Sequence, residues 1–123
     1  MIDPNFILLY VNKPEASAAF YAGLLDKNPI ETSPTFAMFA LQSGVMLGLW
    51  AKHTVEPSAT ASAGAAELAF AVADNAIVDA MHADWLGRGL VIAQTPTSLD
   101  FGYTFVALDP DGHRLRVFAP SAS

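Results

Sequence analysis

The sequence contains no cysteine, which excludes disulfides and thiolate metal sites. Positive charge is scarce. Six Lys and Arg against twelve Asp and Glu leave a formal net charge of −6, and the basic residues form no cluster. Nucleic acid, whose binding is dominated by Lys and Arg contacts to phosphate, is excluded as a partner on that ground. A neutral or cationic small ligand is compatible with the balance. No apolar run approaches the roughly 20 residues of a membrane-spanning helix. The opening stretch MIDPNFILLYV lacks the basic n-region of a signal peptide, so no membrane is expected and the cytoplasm is the default compartment. His53, His82 and His113 lack metal-ligand spacing such as i, i+4 on one helix. No Ser, Lys or Tyr stands out beside a base as a nucleophile. Nothing in the pattern argues positively for catalysis.

What is present is apolar. Of 123 residues, 53% are hydrophobic and only 15% charged, which is one domain's length with more apolar surface than a core of that size absorbs. The surplus has two ordinary outlets, a subunit interface and a ligand cavity, and both are expected here.

The chain reads as one order of elements met twice. Phe6 to Val11 (FILLYV) is a short run of strand formers. Asn12-Lys13-Pro14-Glu15 then offers a helix cap, an early proline and an acidic first turn. The helix continues with Ala16, Phe20 and Leu24 on one face. Three strand-like pieces follow, at 29–33, 36–41 and 45–50, with Ser43-Gly44 as the turn between the last two. Residues 51–66 (AKHTVEPSATASAGAA) are small, polar and aperiodic, a linker by composition. After it come a strand at 67–72, a helix at 76–86 capped by Asp74 and closed by Gly87 and Gly89, and strands at 90–94, 103–108 and 114–118. This second helix carries Ile77, Met81 and Trp85 on one face, with Trp85 read as core. Val11 aligns with Val72. After an insertion of about seven residues near 98–101, Gly44 aligns with Gly112 and Trp50 with Phe118. Identities are few, so element order carries the repeat, and an α+β domain without a true repeat stays open.

Strand side chains alternate, so each strand has two faces. Ile7, Leu9 and Val11, and likewise Leu68, Phe70 and Val72, suit packing on helices. The other faces are Phe6, Leu8, Tyr10 and Glu67, Ala69, Ala71. In the fourth and eighth strands the matching sets are Met46, Gly48, Trp50 and Arg114, Arg116, Phe118. This mixture of aromatic, small and charged residues fits a ligand cavity better than solvent or a partner.

Three stretches, taken in order, resemble the vicinal oxygen chelate superfamily of glyoxalases, bleomycin-resistance proteins and extradiol dioxygenases. Ala18-Ala19-Phe20-Tyr21-Ala22-Gly23-Leu24-Leu25 resembles its first helix. Glu67-Leu68-Ala69-Phe70-Ala71-Val72-Ala73-Asp74 resembles its fifth strand, and Phe105 to His113, with Asp109-Pro110-Asp111-Gly112, its terminal hairpin. The last of these is also simply a good tight turn, and a structural role is all it is assigned. The resemblance implies an α+β fold of two tandem βαβββ modules, at about 4–50 and 67–120, forming a cup-shaped mixed sheet in a single domain. It also implies a homodimer with two equivalent sites.

The superfamily's enzymes hold a divalent metal with inward side chains of the first, fourth, fifth and eighth strands. Carried over, those positions fall on Phe6, Gly48, Glu67 and Arg116. Only Glu67 has a donor for a cation, since Phe and Gly offer none and a guanidinium stays protonated. One carboxylate is far short of a site, so no metal and no other cofactor is expected. Glu67 and Arg116 would instead form an ion pair in the metal's place, or merely neutralise each other at a wet strand end. Trp50 is the residue singled out for stacking a planar aromatic ligand, with an interface or core role as the competing assignment. Phe6, Leu8, Tyr10, Gly48, Tyr103 and Phe118 complete the candidate wall. The reading that results is a metal-free protein that sequesters an apolar or planar aromatic antibiotic, of bleomycin- or phenazine-resistance type. The alternatives are a glyoxalase-like lyase or dioxygenase with displaced ligands, and a scaffold whose cavity has collapsed.

Overall fold

The computed structural model describes residues 2–121 and divides the chain into two compact units, Met1–Ala61 and Ser62–Ser123. The first contains β1 (Phe6–Val11), α1 (Pro14–Leu25), β2 (Glu31–Thr32), β3 (Phe36–Ala40) and β4 (Met46–Ala51). Its four strands form one mixed sheet in the order β1-β4-β3-β2, with β1 parallel to β4 and the other pairs antiparallel. The second contains β5 (Glu67–Ala71), α2 (Asn75–Gly87), β6 (Val91–Leu99), β7 (Gly102–Leu108) and β8 (Arg114–Pro120). Its sheet has the order β5-β8-β7-β6, again with a single parallel pair, β5 with β8. The fold is therefore α+β: two four-stranded mixed sheets and two helices, each unit running strand, helix, three strands. No helix among the described residues is long and apolar enough to cross a membrane.

Local chemistry explains most boundaries. Pro14 opens α1, where its missing N–H is no loss, and Glu15 lies in the first turn, favourable to the helix dipole. The N-cap is Lys13, whose own side chain makes no capping bond. The helix ends where Asp26 turns left-handed at φ 53°, and the Lys27 N–H returns to the Ala22 carbonyl at 3.2 Å. Asp74 caps α2 as its position suggests, its carboxylate accepting the Ile77 N–H at 2.9 Å. At the other end the N–H groups of Leu90 and Gly89 close on the carbonyls of Trp85 and Leu86, a Schellman pair that left-handed Gly89 makes possible.

Both helices bury a face rotated from the expected one. In α1 the buried residues are Pro14, Ser17, Ala18 and Tyr21, while Ala16 is exposed and Phe20 and Leu24 are half-buried. Alanine occurs on every side of this helix, so hydrophobicity alone does not set its phase. Size does: Ser17 and Ala18 let the helix approach the sheet, and the Tyr21 ring fills the remaining space, edge-on to Phe20 at 5.0 Å. In α2 the buried residues are Val78 and Trp85, and Ile77 faces outward. Trp85 sits edge-on to Phe70 at 5.6 Å and to Phe105 at 5.3 Å, and this aromatic cluster is the heart of the second unit's core.

The insertion at 98–101 lengthens the β6–β7 hairpin. β6 has nine residues against two in β2, and the strands join through a two-residue turn, Asp100-Phe101. The Asp109 carboxylate accepts the N–H groups of Asp111 and His113, both at 2.9 Å, and so holds the β7–β8 turn. The stretch read as a linker begins with ordered structure. Ala51 ends β4, Lys52–Thr54 make one 3-10 turn, the Thr54 hydroxyl donates to the Ala51 carbonyl at 2.8 Å, and Val55 is buried.

Candidate functional site

In the first unit, strand alternation sends Val11, Ala37, Phe39, Leu47, Leu49 and Ala51 to the buried side. Phe6, Leu8 and Tyr10 of β1, Met46, Gly48 and Trp50 of β4, and Phe36 and Met38 of β3 share the opposite face. Register aligns them in rows: Leu8, Gly48 and Met38 in one, Tyr10, Trp50 and Phe36 in the next. Gly48 lies buried beneath its neighbours. A Cβ there would come within 2.8 Å of Leu8 Cδ2 and Phe6 Cε1 and 3.0 Å of Phe36 Cζ, so three side chains close over its backbone. The rings of Tyr10 and Trp50 meet edge to face at 6.1 Å. Phe6, Leu8 and Tyr10 each keep about two-fifths of their surface exposed, at 42%, 44% and 39%. Burial is the default for such residues, so an exposed cluster of them on one face is the observation to explain. Phe36 and Met38 are not evident from the sequence, because their membership depends on the β3–β4 register.

The second unit carries a polar cluster on β5, β7 and β8. Arg116 grips Glu67 with two parallel bonds, Nε to Oε1 at 2.8 Å and Nη2 to Oε2 at 3.0 Å. Its Nη1 donates to Thr104 Oγ1 at 3.2 Å, and the Thr104 hydroxyl in turn donates to the Val117 carbonyl at 2.8 Å. Arg114, directly opposite Glu67 in the β5–β8 register, adds Nη2 to Oε2 at 3.0 Å. Phe101 lies 5.7 Å from the Arg116 guanidinium and edge-on to Phe118 at 5.8 Å. The sequence places Arg114 on the candidate cavity face with Arg116 and Phe118 without singling it out, and assigns no role to Phe101 or Thr104. Tyr103 is not part of this group. It alternates with Thr104, so it belongs to the other face of β7, and its hydroxyl donates to Asp79 of α2 at 2.7 Å.

The hydrogen bonds from Arg116 hold the Glu67 carboxyl below its ordinary value of 4.5, against an opposing effect of partial burial, and the charges of Arg116 and Arg114 add to the lowering. A carboxylate with a depressed folded pKa stabilises the fold fully above its unfolded value, and the contribution disappears as pH falls through the folded value. Glu67→Gln is expected to lose about 1–2 kcal/mol at pH 7, modest because the cluster is partly solvated. The gap to the parent should begin to narrow as pH falls below 4.5 and close as it passes the lower folded value. Urea unfolding at pH 7 and pH 3.5 measures both, and a gap that does not change with pH would contradict the assignment.

These residues do not fit a divalent metal. Of Phe6, Gly48, Glu67 and Arg116, only Glu67 has a lone pair to offer, and both its oxygens accept from guanidinium groups. Among the described residues, no three His, Asp or Glu side chains converge.

The sequence profile of the Glyoxalase/Bleomycin resistance protein/Dioxygenase superfamily matches residues 4–117. The phenazine antibiotic resistance protein EhpR of Enterobacter agglomerans is 29% identical over 119 residues, which are 94% of this chain and 91% of that protein. A protein of Agrobacterium tumefaciens solved by solution NMR is 50% identical, with a TM-score of 0.91 over 99% of this chain and all of that one. A glyoxalase-related enzyme from Fulvimarina pelagi shares the fold, with a TM-score of 0.83 at 21% identity over 97% of this chain and 88% of that one. By sequence along nearly its whole length and by its twice-repeated element order, the chain belongs to the glyoxalase, bleomycin resistance protein and dioxygenase superfamily.

Proposed function

We propose that this protein is a metal-free binder of small molecules that sequesters a planar aromatic antibiotic, phenazine-like in class, and acts as a homodimer. The observation that carries the proposal is the apolar face of β1 and β4, where Phe6, Leu8 and Tyr10 stay exposed beside half-buried Trp50 on the side of the sheet away from its core. A flat ring system laid on the exposed side chains of Phe6, Leu8 and Tyr10 gains apolar contact, and edge contacts with Tyr10 and Trp50 add to it. Two further findings support capture over chemistry. The superfamily's metal positions carry Phe6, Gly48 and a Glu67–Arg116 ion pair, and the similar protein EhpR is a phenazine resistance protein. Binding is then stoichiometric, with no bond made or broken. The apolar balance of the chain suits burial of a further face between two copies.

Titrating the protein with phenazine while following tryptophan fluorescence tests this. A saturable quench at one ligand per chain is expected, unaffected by prior EDTA treatment and by added Zn or Mn. Trp50→Ala is expected to bind about tenfold more weakly, roughly 1.4 kcal/mol. Trp85, buried in the second unit's core, supplies an unquenched background in both proteins. Light scattering should give twice the chain mass. Absence of saturation, unchanged affinity in the variant, or binding that requires metal would each overturn the proposal.

A further inference from the structure

The β2–β3 register extends the proposed binding face by one side chain. Glu31 stands opposite Met38, and paired residues of neighbouring strands share a face. Met38 in turn stands opposite Gly48, and Gly48 opposite Leu8, so Glu31 ends the row that runs from β1 across β4 and β3 to β2. The two neighbouring rows, Phe6–Met46–Ala40 and Tyr10–Trp50–Phe36, hold no carboxylate, ammonium or guanidinium. Glu31 is therefore the one charged side chain in these three rows. It is exposed, and among the described residues no hydrogen bond or ion pair engages its carboxylate. Spacing gives that carboxylate a use. Neighbouring strands lie about 4.8 Å apart, so β1 to β3 spans about 10 Å, the length of three fused aromatic rings, and β2 lies about 5 Å further on. A planar ligand resting on the apolar side chains of β1, β4 and β3 brings a substituent on its outer ring to Glu31.

We infer that Glu31 makes this face selective for planar aromatic molecules bearing a cationic substituent, a protonated amine above all, which its carboxylate receives. The inference rests on the proposed binding of planar aromatic molecules to the first unit and narrows it to positively charged ones. Ring contact supplies affinity that charged and neutral ligands share, and the carboxylate distinguishes them. A bond from an ammonium to a carboxylate is stronger than one from a hydroxyl, and exposure to solvent keeps the difference modest. The whole-chain charge of −6 also attracts cations, but it does not seat them on one face.

Calorimetric titration at pH 7 with 2-(aminomethyl)phenazine, an ammonium ion, and with its neutral counterpart 2-(hydroxymethyl)phenazine tests this. The amine is expected to bind about fivefold more tightly than the alcohol at low salt, with the gap shrinking as salt is added. Glu31→Gln should abolish that preference while leaving alcohol affinity within about twofold, and Glu31→Lys should reverse it. Glu15→Gln, which removes the same charge from the first turn of α1, should keep the preference, separating a local contact from net charge. Glu31 is exposed on a two-residue strand at the sheet's edge, and thermal melts establish that each variant is folded. The Lys variant keeps the test open should the Gln variant fail to fold. Equal binding of amine and alcohol to the parent is the result for a charge that only keeps the edge strands of separate copies apart. That result, a preference that survives in Glu31→Gln, or one lost equally in Glu15→Gln would overturn the inference while the aromatic-binder reading stands. No binding of either compound would overturn both.

Discussion

Replacing Gly102 by alanine is expected to lower the unfolding free energy by about 3 kcal/mol or more. Gly102 opens β7 at φ 152°, a region essentially closed to residues with a Cβ. A Cβ there would overlap the Ala119 carbonyl oxygen and crowd Ala119 C and Pro120 Cα at 3.0 Å. These are backbone atoms of β8, the strand paired with β7 at this point, so relief means separating the two. A flexible side-chain tip could swing aside, but a paired strand cannot. Gly87 is the control. It lies inside α2 with nothing within 4 Å of where an alanine methyl would sit, and alanine there should be neutral or add up to about 1 kcal/mol. Urea unfolding of the two variants is expected to give shifts of opposite sign or widely different size. A Gly102→Ala protein within about 1 kcal/mol of the parent would mean the β7–β8 junction yields far more readily than its pairing indicates.

Gly48→Leu is expected to weaken phenazine binding about 100-fold, roughly 2.7 kcal/mol, while changing stability by less than about 1 kcal/mol. The contrast with Gly102 lies in which atoms a new side chain meets. At Gly48 they are Leu8 Cδ2, Phe6 Cε1 and Phe36 Cζ, the far ends of side chains on a solvent-facing surface. Those ends can turn outward, and β4 gains a residue better suited to a strand than glycine. What is lost is the shape of the face: the leucine pushes Phe6, Leu8 and Phe36 off the positions from which they would meet a flat ligand. Gly48→Ala should fall between, at about tenfold. Phenazine titrations paired with urea melts separate the two effects. Unchanged affinity would remove Gly48 from the site. A loss of several kcal/mol in stability would show that Phe6, Leu8 and Phe36 form core that tolerates no displacement.

Local sequence reaches only part of the way into this fold. Strand identities, the Asp74 cap, the glycine stop after α2 and the Asp109 turn are legible because each depends on a few adjacent residues and on backbone preferences. The doubled order of elements is legible for the same reason, since it is a succession of local patterns. The phase of α1 is not, because alanine surrounds it, and the selection of Ser17, Ala18 and Tyr21 for burial is made by fit to a sheet whose strands lie on both sides of the helix in the chain. The candidate site divides along the same line. The chemistry at Phe6, Gly48, Glu67 and Arg116 can be read position by position, and by itself it tells against metal binding. Strand register then adds Phe36 and Met38 to the face around Gly48 and sets Arg114 directly opposite Glu67, while alternation along β7 sends Tyr103 to the helix side with Asp79. Side-chain type is written into the sequence one residue at a time. Which side chains become neighbours is decided by the pairing of strands distant in the chain, and only the tertiary structure fixes that pairing.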